Sequence, residues 1–236
     1  MTGRNIYISG PDGTRKTQTA YGIAKWLNQE FGFPTKVVHF PTEESLPSGI
    51  IRMDMSEPPR IKLGAGARDL LFVADRTETM VRVLTPARIE KPNLWLIFDR
   101  GPFDGLVYAE AADQLRPTPI GISTGWIEAC DEPFLRKFPV DLGIYLTASL
   151  EESQLIMVER GRLEGNDMNV ALQSIVRTVF DKYFTGKLNW TRVEVGRYPY
   201  ENLVNQAARI LSIIKVILRD RMIGWGIEGR FSSPET

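Results

Sequence analysis

Short apolar runs alternate with longer stretches in which apolar residues return every three or four positions. Residues 5–9, 36–40, 94–98, 141–146 and 191–195 have the length and composition of strands. Leu94-Trp95-Leu96-Ile97-Phe98 is apolar throughout, as a strand buried on both faces of a parallel sheet should be. Between these runs the period predicts helices over 16–31, 67–89, 103–114, 149–160, 169–184 and 200–221. Alternation of this kind predicts an α/β fold, an open sandwich with right-handed crossovers. Residues 117–124 and 162–168 read as loops, and the charge and glycine of the second suit a mobile cover. No repeat or linker divides the chain, so 1–223 are expected to form one domain and 224–236 a flexible tail.

Charge and composition narrow the function. The 236 residues carry 29 Lys+Arg and 29 Asp+Glu, so there is no basic surplus for general nucleic-acid binding. The most apolar stretch, 210–218, carries Lys215 and is far short of the ~20 residues of a membrane span. A protein that binds neither nucleic acid nor membrane is expected. His39 and Cys130 are the chain's single histidine and single cysteine, too few for a Cys/His zinc site. A lone cysteine also excludes an intrachain disulfide framework, which fits the cytoplasm. His39, at the end of a strand, is expected to be packed. Cys130 is expected in the core, and Trp126 between its helix and the sheet.

Chemistry first shows between the first strand and the first helix. Gly10-Pro11-Asp12-Gly13-Thr14-Arg15-Lys16-Thr17 has the spacing G-x-x-x-x-G-K-[ST], with Arg15 where the second glycine belongs. Free N–H groups and the dipole of a helix N-terminus attract an anion, Lys16 adds a charge for the outer phosphates, and the Thr17 hydroxyl suits Mg²⁺. The ordinary alternative is a Gly-Pro turn before a helix. Arg15 is strained if its φ is positive and unstrained otherwise. Its guanidinium is either a cation for a transferring phosphoryl group or a solvated charge. Asp99-Arg100 ends the buried third strand, where ligand crevices of open α/β sheets lie, and Asp99 there suits a metal or the loop. Its ordinary alternative is a cap for the next helix.

The same residues, in order, resemble the thymidylate kinase family. Ser9 to Gln18 is similar to its E-G-x-D-G-x-G-K-[ST]-T-Q segment. Phe40-Pro41-Thr42-Glu43 resembles F-P-x-E, and Leu71-Phe72-Val73-Ala74-Asp75-Arg76 resembles L-F-x-A-[DN]-R. Asp99-Arg100 looks like the D-R of D-R-[YH], Asp141 to Leu146 like P-D-L-x-x-x-L, and Glu159-Arg160-Gly161-Arg162 like the start of the arginine-bearing lid. Leu188-Asn189-Trp190 resembles a segment before the last strand.

The resemblance implies a three-layer α/β/α P-loop kinase fold with a five-stranded parallel sheet, a lid around 160–168 and a homodimer. It implies small-molecule nucleotides as partners, with the γ-phosphoryl of ATP passing to dTMP to give dTDP in the presence of Mg²⁺. Gly10, Pro11, Asp12, Gly13, Thr14, Arg15, Lys16 and Thr17 would then hold ATP, and Thr17 and Asp99 the metal. Lys16, Arg100 and Arg160, with Arg15 and Arg162 available, would be the catalytic cations. Asp12 would meet the acceptor's 3′-hydroxyl and help organise Mg²⁺. Phe72 would stack on the base, and Arg76 would hydrogen-bond its edge. Phe72 as a core aromatic, and Arg76 paired at the surface with Asp75 or Glu78, are the ordinary alternatives. Tyr108 would either pack beside the sugar or fill the core.

Three departures matter. Thr42, Glu43 and Glu44 lack the arginine that many family members use to grip the monophosphate, leaving Arg52 or Arg100 to substitute. Gly101-Pro102 replaces the aromatic after D-R. Asp104 stands where serine is usual; it would accept from a hydroxyl or a base N–H but repel an acceptor phosphate. The alternatives are a related kinase for another or modified pyrimidine nucleotide or nucleoside, and a catalytically inactive nucleotide-binding homologue. No N-K-x-D occurs, which sets aside a GTPase switch.

Overall fold

A computed structural model describes residues 2–56, 58–115, 124–159, 170–196 and 203–227. Its strands are β1 (Asn5–Ser9), β2 (Thr35–His39), β3 (Trp95–Asp99), β4 (Leu142–Thr147) and β5 (Trp190–Glu194). They form one all-parallel sheet in the order β2-β3-β1-β4-β5. The central strands β1, β3 and β4 are buried at every position, which is why they read as unbroken apolar runs rather than alternating ones.

Side chains still alternate between the two faces. Ile6 and Ile8 of β1 join one core with Ile23 and Leu27 of α1 (Lys16–Phe31) and Ile210, Ile214 and Leu218 of α9 (Leu203–Gly224). Tyr7 points the other way, stacks on Phe98 at 4.4 Å and donates to the Phe138 carbonyl at 2.5 Å. On that second face lie α5 (Pro102–Leu115), α6 (Thr124–Lys137) and α8 (Val170–Phe184), which bury Phe103, Phe134 and Phe180. Each such side chain contributes ~1.5–3 kcal/mol of hydrophobic burial. Helices on both faces of the sheet make three layers.

The predicted helix over 67–89 is broken. It consists of α3 (Ala65–Thr79), a wider turn at Met80–Leu84 and α4 (Thr85–Glu90). Pro86 lacks an N–H and would clash with the carbonyl of Arg82 in a continuous helix. The π-helical turn, in which Thr85 N–H reaches Met80 O, absorbs that conflict. The sequence pattern gave no sign of α2 (Leu46–Asp54) and no bounds for α6, although Trp126 and Cys130 were expected on a helix, while α7 (Leu150–Glu159) falls where expected. Residues 224–227, expected to begin a frayed tail, are packed: Trp225 meets Trp95 edge-on at 6.0 Å and Ile227 is buried. Residues 228–236 lie outside the described part. Among the described residues no helix is long and apolar enough to cross a membrane.

The chain leaves β1 toward β2 on one side of the sheet and leaves β3 toward β4 on the other. A crevice therefore opens at the carboxyl ends of β1 and β3, the position favoured for ligands in open α/β sheets.

Candidate active site

The loop from Ser9 to α1 lines this crevice. Gly10 (φ 150°) and Gly13 (φ 79°) take backbone conformations that disfavour side chains. A Cβ on Gly13 would stand 2.5 Å from the Ser153 carbonyl oxygen of α7, so glycine is also required there by close approach. Arg15, at φ 63° and ψ 28°, adopts the left-handed conformation that the missing glycine would take freely. For a side-chain-bearing residue this costs ~1–2 kcal/mol. Its guanidinium is buried: Nε donates to Gln206 Oε1 at 2.8 Å and Nη1 to Gln18 Oε1 at 2.7 Å. Gln206 in turn donates to the Val195 carbonyl, so Arg15 ties the loop to α9 and to the chain after β5.

Arg15, at the N-cap of α1, makes no side-chain capping bond among the described residues, which leaves first-turn N–H groups for an anion. Lys16 Nζ donates to the carbonyls of Gly10 and Pro11, both at 2.7 Å, while Thr14 Oγ1 donates to Pro11 O at 2.7 Å. Burial, and after it Arg100, bring the Lys16 ammonium down to about 8 against the pull of Asp12.

Thr17 Oγ1 donates to Asp99 Oδ2 at 2.6 Å, and His39 Nδ1 meets the same oxygen at 2.8 Å. Asp99 is fully buried, which by itself raises its pKa, but the hydrogen bonds from His39 and Thr17 outweigh burial and hold it low. Its Oδ1 has no hydrogen-bond partner among the described residues. His39 is thus not packed in the core as expected: its side chain is 42% exposed, and strand register sets it directly opposite Asp99. Among the described residues no three His, Cys, Asp or Glu side chains gather as a metal site. An ionised carboxylate oxygen beside a hydroxyl suits Mg²⁺, which keeps waters and takes its other ligands from phosphates.

Arg100, at φ 71°, turns back from β3, and its Nη2 donates to Asp12 Oδ1. Tyr108 of α5 donates to Asp12 Oδ2 at 2.6 Å while its ring packs edge-on against Phe180. Burial alone would raise the Asp12 pKa; Arg100 and then Lys16 hold its carboxyl well below the usual range. Asp104 lies beneath this group, 4% exposed, with Oδ2 accepting from Ser9 Oγ at 2.7 Å and Gly101 N at 3.1 Å. Burial raises its pKa, and only Oδ1 is without a partner among the described residues. Asp104 therefore fastens β1 to the turn before α5, with its other oxygen buried beneath the loop.

Phe72 of α3 is half-buried and belongs to none of the apolar clusters among the described residues. Asp75 anchors the chain after β2, accepting from Thr42 N at 2.9 Å and from the hydroxyls of Thr42 and Ser45. Arg76 is not at the surface beside Asp75 or Glu78. It is 2% exposed and donates from Nε and Nη2 to both carboxylate oxygens of Asp131 on α6, at 2.8 and 2.6 Å. Exposed Arg52 donates to the carbonyls of Thr42 and Glu43, both at 2.6 Å. Cys130 is half-buried beside the small cluster of Val73 and Leu106, whereas Trp126 is 43% exposed rather than packed. Arg160, Arg162 and the segment 160–168 lie outside the described residues. Gln206 and Asp131 escaped the sequence reading and His39 was expected only to be packed, because each is joined to its site by contacts distant in sequence.

Comparison with known proteins brings the same fold and chemistry together. No family model matches the chain. It is 30% identical over 179 residues to a protein of Pyrococcus horikoshii named "Probable thymidylate kinase", an alignment covering 75% of this chain and 80% of that one. A namesake from Pyrococcus abyssi is 29% identical over 181 residues, with the same coverage. A thymidylate kinase of Lacticaseibacillus casei is 26% identical over 147 residues, 61% of this chain and 67% of that one. A solved thymidylate kinase structure from Candida albicans aligns with a TM-score of 0.62 over 92% of this chain and 93% of the other, at 20% identity.

Proposed function

The chain belongs to the thymidylate kinase family, and from that premise we propose that it transfers the γ-phosphoryl of ATP to dTMP, giving dTDP. The observation that carries this reading is Lys16, folded onto the Gly10 and Pro11 carbonyls beneath the uncapped start of α1. A buried ammonium beside unsatisfied amides is built for a polyphosphate, and a nucleotide's outer phosphates would draw Nζ from the carbonyls onto themselves.

The acceptor needs no general base. A phosphate monoester has a second pKa of about 6, so its oxygen is already ionised near neutrality. That oxygen attacks the γ-phosphorus in line, one O–P bond forms as the β–γ bridge breaks, and no proton changes hands. Alignment and charge cancellation remain for the protein to supply. Lys16 and Arg100 are assigned to the latter, with Arg160 and Arg162 added on the resemblance to the family's arginine-bearing segment. Asp12, kept ionised by Arg100 and Lys16 and oriented by Tyr108, is assigned to accept from the sugar 3′-hydroxyl. Tyr108 beside it would crowd a 2′-hydroxyl. Phe72, outside the apolar clusters, is assigned to stack on the base, with Arg76 donating to the base edge. Arg52, already on the loop after β2, is the candidate for gripping the acceptor phosphate.

Thr17 and Asp99 would hold Mg²⁺, which when bound spreads the charge of the β- and γ-phosphates. A homodimer is proposed through helices beside the sheet, where Leu46, Met53, Met55 and Leu70 are exposed. The free cysteine suits a cytoplasmic setting.

Steady-state rates across a panel of nucleoside monophosphates and thymidine test the proposal. The expected result is the highest kcat/KM with dTMP; preference for thymidine, or for no acceptor at all, would overturn it.

A further inference from the structure

Outside the loop before α1, the most completely buried ion pair among the described residues lies between Arg76 and Asp131. Both side chains are 2% exposed, and the pair is bidentate, with Nε and Nη2 each on a separate carboxylate oxygen. Ion pairs so deep gain little stability over a well-packed apolar pair, because both charges must be stripped of water. Such a contact is better understood through what it does to geometry.

Two of the three guanidinium nitrogens are committed to Asp131, and the only hydrogen bonds of the Arg76 side chain among the described residues are these two, from Nε and Nη2. The partner element is α6, whose Ile127 and Cys130 pack with Val73 of α3 and Leu106 and Ala109 of α5, so the carboxylate stands on a rigid three-helix seam. Gly105 of α5 clears the other side: a Cβ there would stand 3.5 Å from Nη1 and 3.6 Å from Nη2. Phe72 lies one turn before Arg76, so the two side chains share a helix face.

We propose that Asp131 is a positioning residue for substrate specificity, holding the Arg76 guanidinium so that Nη1 reads one edge of the acceptor base. The inference rests on the proposed nucleotide kinase activity and deepens it. A guanidinium donates and never accepts. An arginine locked in place therefore rewards a ring carbonyl and rejects a ring amine, which selects a 4-oxo pyrimidine over a 4-amino one. A free arginine would swing aside, and the rejection would weaken.

The test compares dTMP and dCMP as acceptors for the full chain and for Asp131→Asn, with thermal melting as a check on folding. The expected result is a KM for dTMP raised about tenfold or more, with kcat within about threefold and KM for ATP unmoved. The preference for dTMP over dCMP should shrink by a similar factor. Should Asp131→Asn fail to fold, the double variant Arg76→Met with Asp131→Leu replaces the pair by apolar side chains. It should melt like the parent yet lose the preference. Unchanged dTMP KM and unchanged preference in a folded variant would overturn the role of Asp131 alone. Parent protein inert toward dTMP would instead overturn the kinase reading beneath it.

Discussion

Thr17 Oγ1 donates to Asp99 Oδ2 at 2.6 Å, joining the first turn of α1 to the end of β3 across 82 positions of sequence. That bond fixes the hydroxyl and the carboxylate as one unit at the carboxyl end of β3, with Asp99 Oδ1 buried and without a hydrogen-bond partner among the described residues. Replacing Asp99 by Asn keeps the volume and removes the charge. Turnover at saturating ATP is expected to fall about a hundredfold, and the Mg²⁺ concentration needed for half-maximal rate to rise. Titrating Mg²⁺ in the rate assay checks this; an unchanged Mg²⁺ dependence would remove Asp99 from the metal site.

The depressed Lys16 ammonium gives a pH prediction. With its value at about 8 in the free protein, a bound triphosphate favours the charged form and raises it. Binding above about pH 8 must then take up a proton, so affinity is flat below that pH and falls above it, the slope of log affinity approaching about −1. Folding stability has the opposite sign. The unfolded chain holds this proton between about 8 and 10.5, so the penalty of burying Lys16 eases as pH rises through that window. Calorimetry of ATP binding across this range is the check, with Lys16→Arg expected to flatten the profile.

Arg15→Gly weighs strain against hydrogen bonding. Glycine relieves the ~1–2 kcal/mol cost of a left-handed residue. It also forfeits the bonds to Gln18 and Gln206, each worth ~1.5–3 kcal/mol for a charged donor. The net expectation is a loss of about 1 kcal/mol or more, read as a lower midpoint in denaturant. Because the guanidinium is tethered to α9, kcat is expected to change less than about threefold. A loss near a thousandfold would mean that it reaches the transferring phosphoryl group instead.

Phe72→Ala should raise the KM for dTMP about tenfold, since stacking on a base is worth ~1–3 kcal/mol, and leave the KM for ATP unchanged. Steady-state kinetics with each substrate varied in turn makes the distinction. Equal changes in both constants would mean that the ring only fills space between helices.

The sequence made the sheet legible because parallel strands buried on both faces become apolar runs, as in β1, β3 and β4. The glycine-bearing loop between β1 and α1 was legible because its residues are contiguous. Helix α2 was missed because it carries Pro47 and Gly49 within nine residues, and α6, expected only as a helix around Trp126 and Cys130, had its bounds hidden by Pro133 inside it. The bend after Thr79 was hidden because a π-helical turn preserves helical apolar spacing well enough to pass for a continuous helix. What could not be read at all was pairing at a distance. Nothing near His39 announces that β3 will set Asp99 beside it, and Arg76 and Asp131 meet only because α3 and α6 share a seam. Asp104 shows the same effect in reverse: its residue type suggested a role facing the acceptor, while Ser9 and Gly101 hold one of its oxygens beneath the crevice.

The most direct test of the account is to follow a radiolabelled γ-phosphoryl from ATP when the protein is mixed with dTMP and Mg²⁺. The label should appear on the β-phosphoryl of dTDP, one for each ADP formed, and Lys16→Ala should abolish that transfer while remaining folded. Label that stays on ATP, or emerges as inorganic phosphate regardless of dTMP, would contradict it.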